Sequence, residues 1–180
     1  MTWPTNASRT VYENRWIRVV EDQVVRPDGE AGIYGVVEMR HPAVFVVALT
    51  DADEVLLVTV DRHTVGTSIE VPAGGTDGEG ARLAAERELL EETGHAASDW
   101  HEIGRMNALN GIAVAPETVF LATGLRHVES ARRTQAEEGI SRVRAVPWAE
   151  VWGMVRGGVI TDGETVAALA YAALHLGRIS

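Results

Sequence analysis

Short apolar runs rich in β-branched residues, separated by turn-forming residues, dominate the first seventy positions. Trp16 to Val25 and Tyr34 to Met39 read as strands, with Arg26-Pro27-Asp28-Gly29 as a turn between them. Ala43 to Leu49 and Glu54 to Val60 predict a hairpin closed by Thr50-Asp51-Ala52-Asp53. Ile69 to Val71 is a short strand running into Pro72-Ala73-Gly74-Gly75. A helix is predicted over Gly80 to Thr93, stopped by Gly94. Thr118 to Thr123 and Arg142 to Val146 read as further strands. Pro147 opens a second helix that stops near Gly157-Gly158. Thr161-Asp162-Gly163-Glu164 has capping-box spacing and leads into an alanine-rich helix reaching about Leu176. Strands, helix, strands, helices is the order of a mixed sheet flanked by helices, not of a regular βαβ repeat.

Composition narrows the classes. The 180 residues fit one domain with room for a small appendage, and nearly half are apolar, enough for a core. No apolar run is long enough for a membrane span, and the N-terminus lacks the basic and apolar stretches of a signal peptide, so a cytoplasmic protein is expected. There is no cysteine, which removes disulfides and thiolate metal sites. All sixteen basic residues are arginine, which removes lysine-based covalent catalysis and a P-loop lysine. The net charge of −10 argues against a nucleic-acid polymer as partner. Small anionic ligands stay open, because divalent cations can neutralise ligand and site together.

The informative stretch is Gly74 to Gly94. Glu88, Glu91 and Glu92 stand at i, i+3 and i+4, on one face of the predicted helix. Charge alone would make them a solvated acidic face. Three details point elsewhere. Leu83, Leu90 and the alanines give the helix an apolar side to pack on the sheet. The glycine-rich entry Gly74-Gly75-Thr76-Asp77-Gly78 lets backbone approach a ligand. Arg87 can orient neighbouring carboxylates through its fork of donors. Clustered hard oxygen donors suit Mg2+, with Mn2+ a second possibility.

Glu79, seven residues, then Arg87-Glu88-Leu89-Leu90-Glu91-Glu92-Thr93-Gly94 resembles the Nudix box. Gly74 stands one residue closer to Glu79 than that pattern has it, and His95 replaces a usual apolar residue; the short loop bears on Glu79 more than on the helix carboxylates. Val71-Pro72-Ala73-Gly74, Arg62, Leu109-Asn110-Gly111 with Glu117, and Gly158 to Thr165 resemble the ADP-ribose pyrophosphatase-like branch of that family. The resemblance implies an α/β (α+β) fold: a Nudix-type α/β/α sandwich around a mixed sheet over residues 43–180. It adds a small N-terminal β portion over residues 1–42 that helps form a homodimer.

It implies function as well. Glu88 and Glu92 would hold the metal, with the carbonyl of Ala73 as a further ligand and Glu91 as ligand or water-orienting group. A later glutamate would complete the catalytic set; Glu138 is favoured and Glu137 is the alternate. Gly74, Glu79, Arg87 and Gly94 would be structural parts of the motif. Trp16 and Tyr34 would meet the base, and Arg40, Arg62 and Glu117 other parts of the substrate, although core or dimer packing explains Trp16 as well. Trp148 and Trp152 read as packing residues, and His63 and His95 as surface residues. The expected activity is metal-dependent hydrolysis of a diphosphate linkage in a nucleoside diphosphate derivative. The leading substrate is ADP-ribose or a related ADP-sugar, giving AMP and a sugar phosphate. Rivals are another nucleotide substrate, such as an oxidised nucleotide, a non-catalytic nucleotide sensor, and a purely structural acidic domain.

Overall fold

The computed structural model of the chain describes residues 3–128 and 131–179; the expected domain limits at residues 1 and 180 lie outside them. The fold divides into two compact units, residues 1–42 with 107–116, and residues 43–106 with 117–180.

The first unit is a four-stranded sheet in the order β1-β2-β3-β9, formed by β1 (Thr5–Glu13), β2 (Ile17–Val25), β3 (Ala31–Met39) and β9 (Ala113–Val114). The first three strands pair antiparallel. β9 pairs parallel with β3 and comes from a segment that the sequence boundary at residue 42 leaves out. β1 was not foreseen: its nine residues, TNASRTVYE, are exposed throughout and carry no apolar period.

The second unit is the sandwich. One sheet has the order β7-β4-β10-β8, from β4 (Ala43–Ala48), β7 (Ala73–Gly75), β8 (His95–Asn107) and β10 (Pro116–His127). The other has the order β11-β5-β6, from β5 (Glu54–Arg62), β6 (Gly66–Glu70) and β11 (Ile140–Pro147). Its helices are α1 (Ala81–Thr93), α2 (Arg132–Glu137), α3 (Trp148–Arg156) and α4 (Gly163–His175). Period-two alternation splits each central strand between two cores. Val44, Val46 and Ala48 of β4, with Leu56 and Phe120, pack under Ala84, Ala85 and Leu89 of α1. Phe45 and Val47, with Leu57, Val119 and Leu121, pack under α3 and α4 through Val151 and Leu169. Strands covered on both faces explain why these runs are continuously apolar. Trp148 and Trp152 pack edge to face at 6.4 Å within that second core.

Three expectations are corrected. The hairpin over residues 43–60 forms its turn, with the Thr50 N–H donating to Glu54 O at 2.9 Å, and one bridge between Leu49 and Val55. Its strands then part into different sheets, because β4 is bonded on one edge by β10 and on the other by β7. Leu83 is 61% exposed, so the apolar side of α1 is made by Ala84, Ala85 and Leu89. The cap of α4 is Asp162, whose carboxylate accepts the Thr165 N–H at 2.7 Å; Thr161 lies one residue too early.

Candidate active site

Residues 81–93 are mostly Ala, Leu, Glu and Arg, strong helix formers. α1 ends where Gly94 takes φ 73° and returns its N–H to Leu90 O at 2.8 Å. The buried face of this helix carries Ala84, Ala85, Glu88, Leu89, Glu92 and Thr93. Two glutamates therefore stand among the packing residues, Glu88 at 5% and Glu92 at 3% exposure. A solvated acidic face would leave them in water, and buried carboxylates require partners.

The partners come from the preceding loop and from α2. The Ala73 N–H donates to Glu92 Oε2 at 3.1 Å. Gly74 is the residue on which the Glu88 carboxylate rests: a Cβ there would lie 2.1 Å from Glu88 Oε1. Only glycine lets the strand and the carboxylate approach so closely. Arg87 gathers the rest. Its Nη1 donates to Glu88 at 2.8 Å and Glu91 at 3.1 Å, its Nη2 to Gly75 O at 2.8 Å, and its Nε lies 3.5 Å from Glu79. Glu79 thus sits with the arginine clamp.

The short helix α2 is latched to the C-terminal end of α1. Thr134 Oγ1 donates to Glu91 O at 2.6 Å and Gln135 Nε2 to Glu92 O at 2.8 Å, satisfying carbonyls that a helix end leaves open. The latch delivers the next residue pair to the site. Carboxylate oxygens of Glu88, Glu91 and Glu138 lie within 4.8 Å of one another. Glu138 also lies near enough to Glu92 for their charges to act on each other. Glu137 points to solvent, 3.9 Å from Arg133.

Crowded carboxylates perturb each other. Burial pushes the Glu88 carboxyl up to about 7 against the pull of Arg87, and Glu138 and Glu91 push further. Burial, then Glu138 and Glu88, raise Glu92 well above the carboxylate range. Glu138 is raised by burial too. A divalent cation would relieve this repulsion, and the all-oxygen donor set fits one.

The expected substrate residues fall in separate places. Trp16 is 59% exposed under the Arg15 guanidinium at 4.0 Å, and its carbonyl accepts the Arg40 N–H, so Trp16 and Arg40 are neighbours. Arg40 also pairs with Glu13 at 2.6 Å. Tyr34 lies six residues back along β3, roughly 20 Å away. It is packed edge to face on Trp3 and donates its hydroxyl to Gly111 O. In the second unit, Arg62 is paired with Glu70. Glu117 is 7% exposed with Oε2 unbonded among the described residues, and burial, then Glu164 and Asp162, push it up to about 7. Glu70 and the α2 latch were missed by sequence reasoning. An acid set between Ile69 and Val71 was the available signal for the first; two polar side chains in a short helix gave none for the second.

This chain belongs to the Nudix family and is a Nudix hydrolase: the NUDIX domain matches residues 39–169, and the nucleoside diphosphate sugar hydrolase N-terminal domain matches residues 3–37. An ADP-ribose pyrophosphatase of Mycobacterium tuberculosis is 34% identical over 92% of this chain and 80% of its own length. An ADP-ribose pyrophosphatase of Bacillus subtilis is 31% identical over 94% and 92%. The fold matches a solved ADP compounds hydrolase with a TM-score of 0.85 at 20% identity, over 99% of this chain and 98% of that one. No helix among the described residues is long and apolar enough to cross a membrane.

Proposed function

We propose that the chain hydrolyses the diphosphate of ADP-ribose or a related ADP-sugar, releasing AMP and a sugar phosphate. The observation that carries this is the convergence of Glu88, Glu91 and Glu138, from α1 and the end of α2, beside a glycine-rich strand whose Ala73 N–H holds the neighbouring Glu92. The two pyrophosphatase relatives and the sugar-hydrolase match at residues 3–37 support this choice of substrate. Glu88, Glu91, Glu92 and Glu138, with the Ala73 carbonyl, would hold Mg2+ or Mn2+. When bound, the cation supplies charge neutralisation at the diphosphate and a more acidic water. The water oxygen joins one phosphorus, the bridging P–O bond breaks, and the other phosphate leaves with the bridging oxygen. A site carboxylate takes the proton. Arg87 keeps Glu88 and Glu91 aligned, and the burial of Glu88 and Glu92 strengthens the action of their charges. In the second unit, Arg62 and Glu117 would face the diphosphate and sugar. The proposed compartment is the cytoplasm.

Incubation with Mg2+ and a panel of nucleoside diphosphate derivatives tests the reading. AMP released from ADP-ribose, and stopped by a chelator, is the expected result. Cleavage of another panel member alone would replace the substrate, and no cleavage at all would sink the enzymatic reading of these four glutamates.

The first unit is also proposed to form a homodimer, with the nucleoside end completed by two copies. Its support is the set of large apolar side chains that the first unit exposes, Val11, Tyr12, Trp16, Ile33, Met39 and Ile112. Sedimentation velocity should give twice the 19.4 kDa chain mass; a monomer at micromolar concentration would reject it.

A further inference from the structure

Arg62 ends β5 and Glu70 ends β6, and the two strands pair antiparallel with Arg62 opposite Gly66 and Val58 opposite Glu70. Arg62 and Val58 share a face, so the arginine side chain lies back along the hairpin toward Glu70. Glu70 is 7% exposed. Its Oε1 accepts Arg62 Nε at 3.2 Å and its Oε2 accepts Nη2 at 2.6 Å, a two-point fork. The arginine head stays partly open, at 44% side-chain exposure, and its Nη1 has no hydrogen-bond partner among the described residues.

This pairing is a choice among competitors. The Arg62 charge also acts on Glu92, Glu138 and Asp162. A long flexible cation beside the glutamates of α1 has an electrostatic reason to fold onto them, where the negative charge is densest. It would then occupy the oxygens that a metal needs. The buried carboxylate of Glu70 offers two aligned acceptors on a rigid strand, and the guanidinium goes there.

We propose that Glu70 is a positioning residue that holds the Arg62 guanidinium off the metal-site glutamates and leaves its Nη1 edge open to an oxygen of the substrate diphosphate. The proposal rests on the diphosphatase reading. It makes Arg62 part of a preset anion grip, the side chain on which removal of Glu70 must act. Nothing in the Nudix box contains Glu70, which lies nine residues before Glu79.

Calorimetric titration with methylenediphosphonate, a diphosphate that cannot be hydrolysed, tests this in the presence of Mg2+. Wild type is compared with Glu70→Gln, Glu70→Asp, Arg62→Ala and the Arg62→Ala/Glu70→Gln double variant. Glu70→Gln should weaken binding about tenfold, the usual scale for a group that orients a binding residue. Glu70→Asp should recover most of that loss, and Glu70→Gln should add less than about twofold in the Arg62→Ala background. A loss of equal size with or without Arg62 would show that Glu70 acts through the fold and overturn the proposal. Binding by Glu70→Gln as tight as that of wild type would overturn it too. Should Glu70→Gln fail to fold, Glu70→Asp in the two Arg62 backgrounds carries the same comparison. Wild-type protein that binds no methylenediphosphonate overturns the diphosphatase reading, and this proposal with it.

Discussion

Glu92→Gln is expected to lower turnover by two to three orders of magnitude, on the scale of losing one principal electrostatic group, and to raise the melting temperature of the metal-free protein at pH 8. The two effects have one cause. Glu92 is 3% exposed and faces Glu88 and Glu138, so its charge is costly to the fold and useful to a cation. Glutamine keeps the size of the side chain and an oxygen for the Ala73 N–H, which donates to Oε2 at 3.1 Å. It discards the charge. A carboxyl whose folded pKa is raised binds more protons folded than unfolded, so its contribution falls as pH rises through that window. At pH 8, close below the value of about 9 to which Glu92 is pushed, the wild-type fold bears most of that cost and the variant does not. Mg2+ should stabilise wild type strongly and the variant weakly, since binding to the native state raises stability by mass action. Turnover and thermal unfolding with and without Mg2+ check this. Wild-type-like turnover would remove Glu92 from the metal site; a lower melting temperature without metal would show that its role is structural.

The box was legible because its residues are fixed by chemistry at helical spacing. Glu88, Glu91 and Glu92 must share a face, Arg87 must reach two of them, and Gly94 must end the helix. The central strands were legible because burial on both faces leaves them apolar from end to end. What failed was pairing. Residues 43–60 look like a hairpin from their own composition, and nothing local says that residues 116–127 will take one edge of β4 and residues 73–75 the other. β1 and β8 escaped notice because neither strand has a regular apolar face: β1 is exposed along its length, and β8 mixes exposed and half-buried positions. Within the site, sequence favoured Glu138 over Glu137 only by analogy. In the fold, Glu138 faces Glu92 while Glu137 lies 3.9 Å from Arg133 at the surface. That difference comes from the Thr134 and Gln135 bonds to α1, which no spacing along the chain reveals. Trp16 and Tyr34 look alike as candidate base platforms in the sequence. Only strand register separates them, with Trp16 beside Arg40 and Tyr34 opposite Asp22.

Metal-free protein should lose stability steadily between pH 5 and pH 8, and Mg2+ should remove most of that slope. Burial moves Glu88 from 4.5 up to about 7, and raises Glu92 and Glu138 in the same direction. Between the unfolded and folded values the native state holds protons that the unfolded chain has released, so deprotonation disfavours the fold as pH rises. Each pKa unit is worth about 1.4 kcal/mol, and a chain of this size shifts by roughly 2–4 °C per kcal/mol. A fall of at least about 5 °C across the window follows from those two figures. Bound cation inverts the preference, because it needs the ionised carboxylates and releases their protons. The stabilisation by Mg2+ should therefore grow from pH 5 to pH 8, and proton release on binding should be measurable by calorimetry in buffers of different ionisation enthalpy. Glu117 supplies an internal control. Burial, with Glu164 and Asp162, pushes it up to about 7, yet it is not among the converging donors Glu88, Glu91 and Glu138. Its share of the slope should persist in saturating Mg2+ and vanish in Glu117→Gln. A melting temperature that rises from pH 5 to pH 8 without metal, or a Mg2+ effect independent of pH, would mean that the buried carboxylates are already ionised and compensated by protein groups. The cluster would then be an ordinary ion-pair network, not a cation site held ready by its own repulsion.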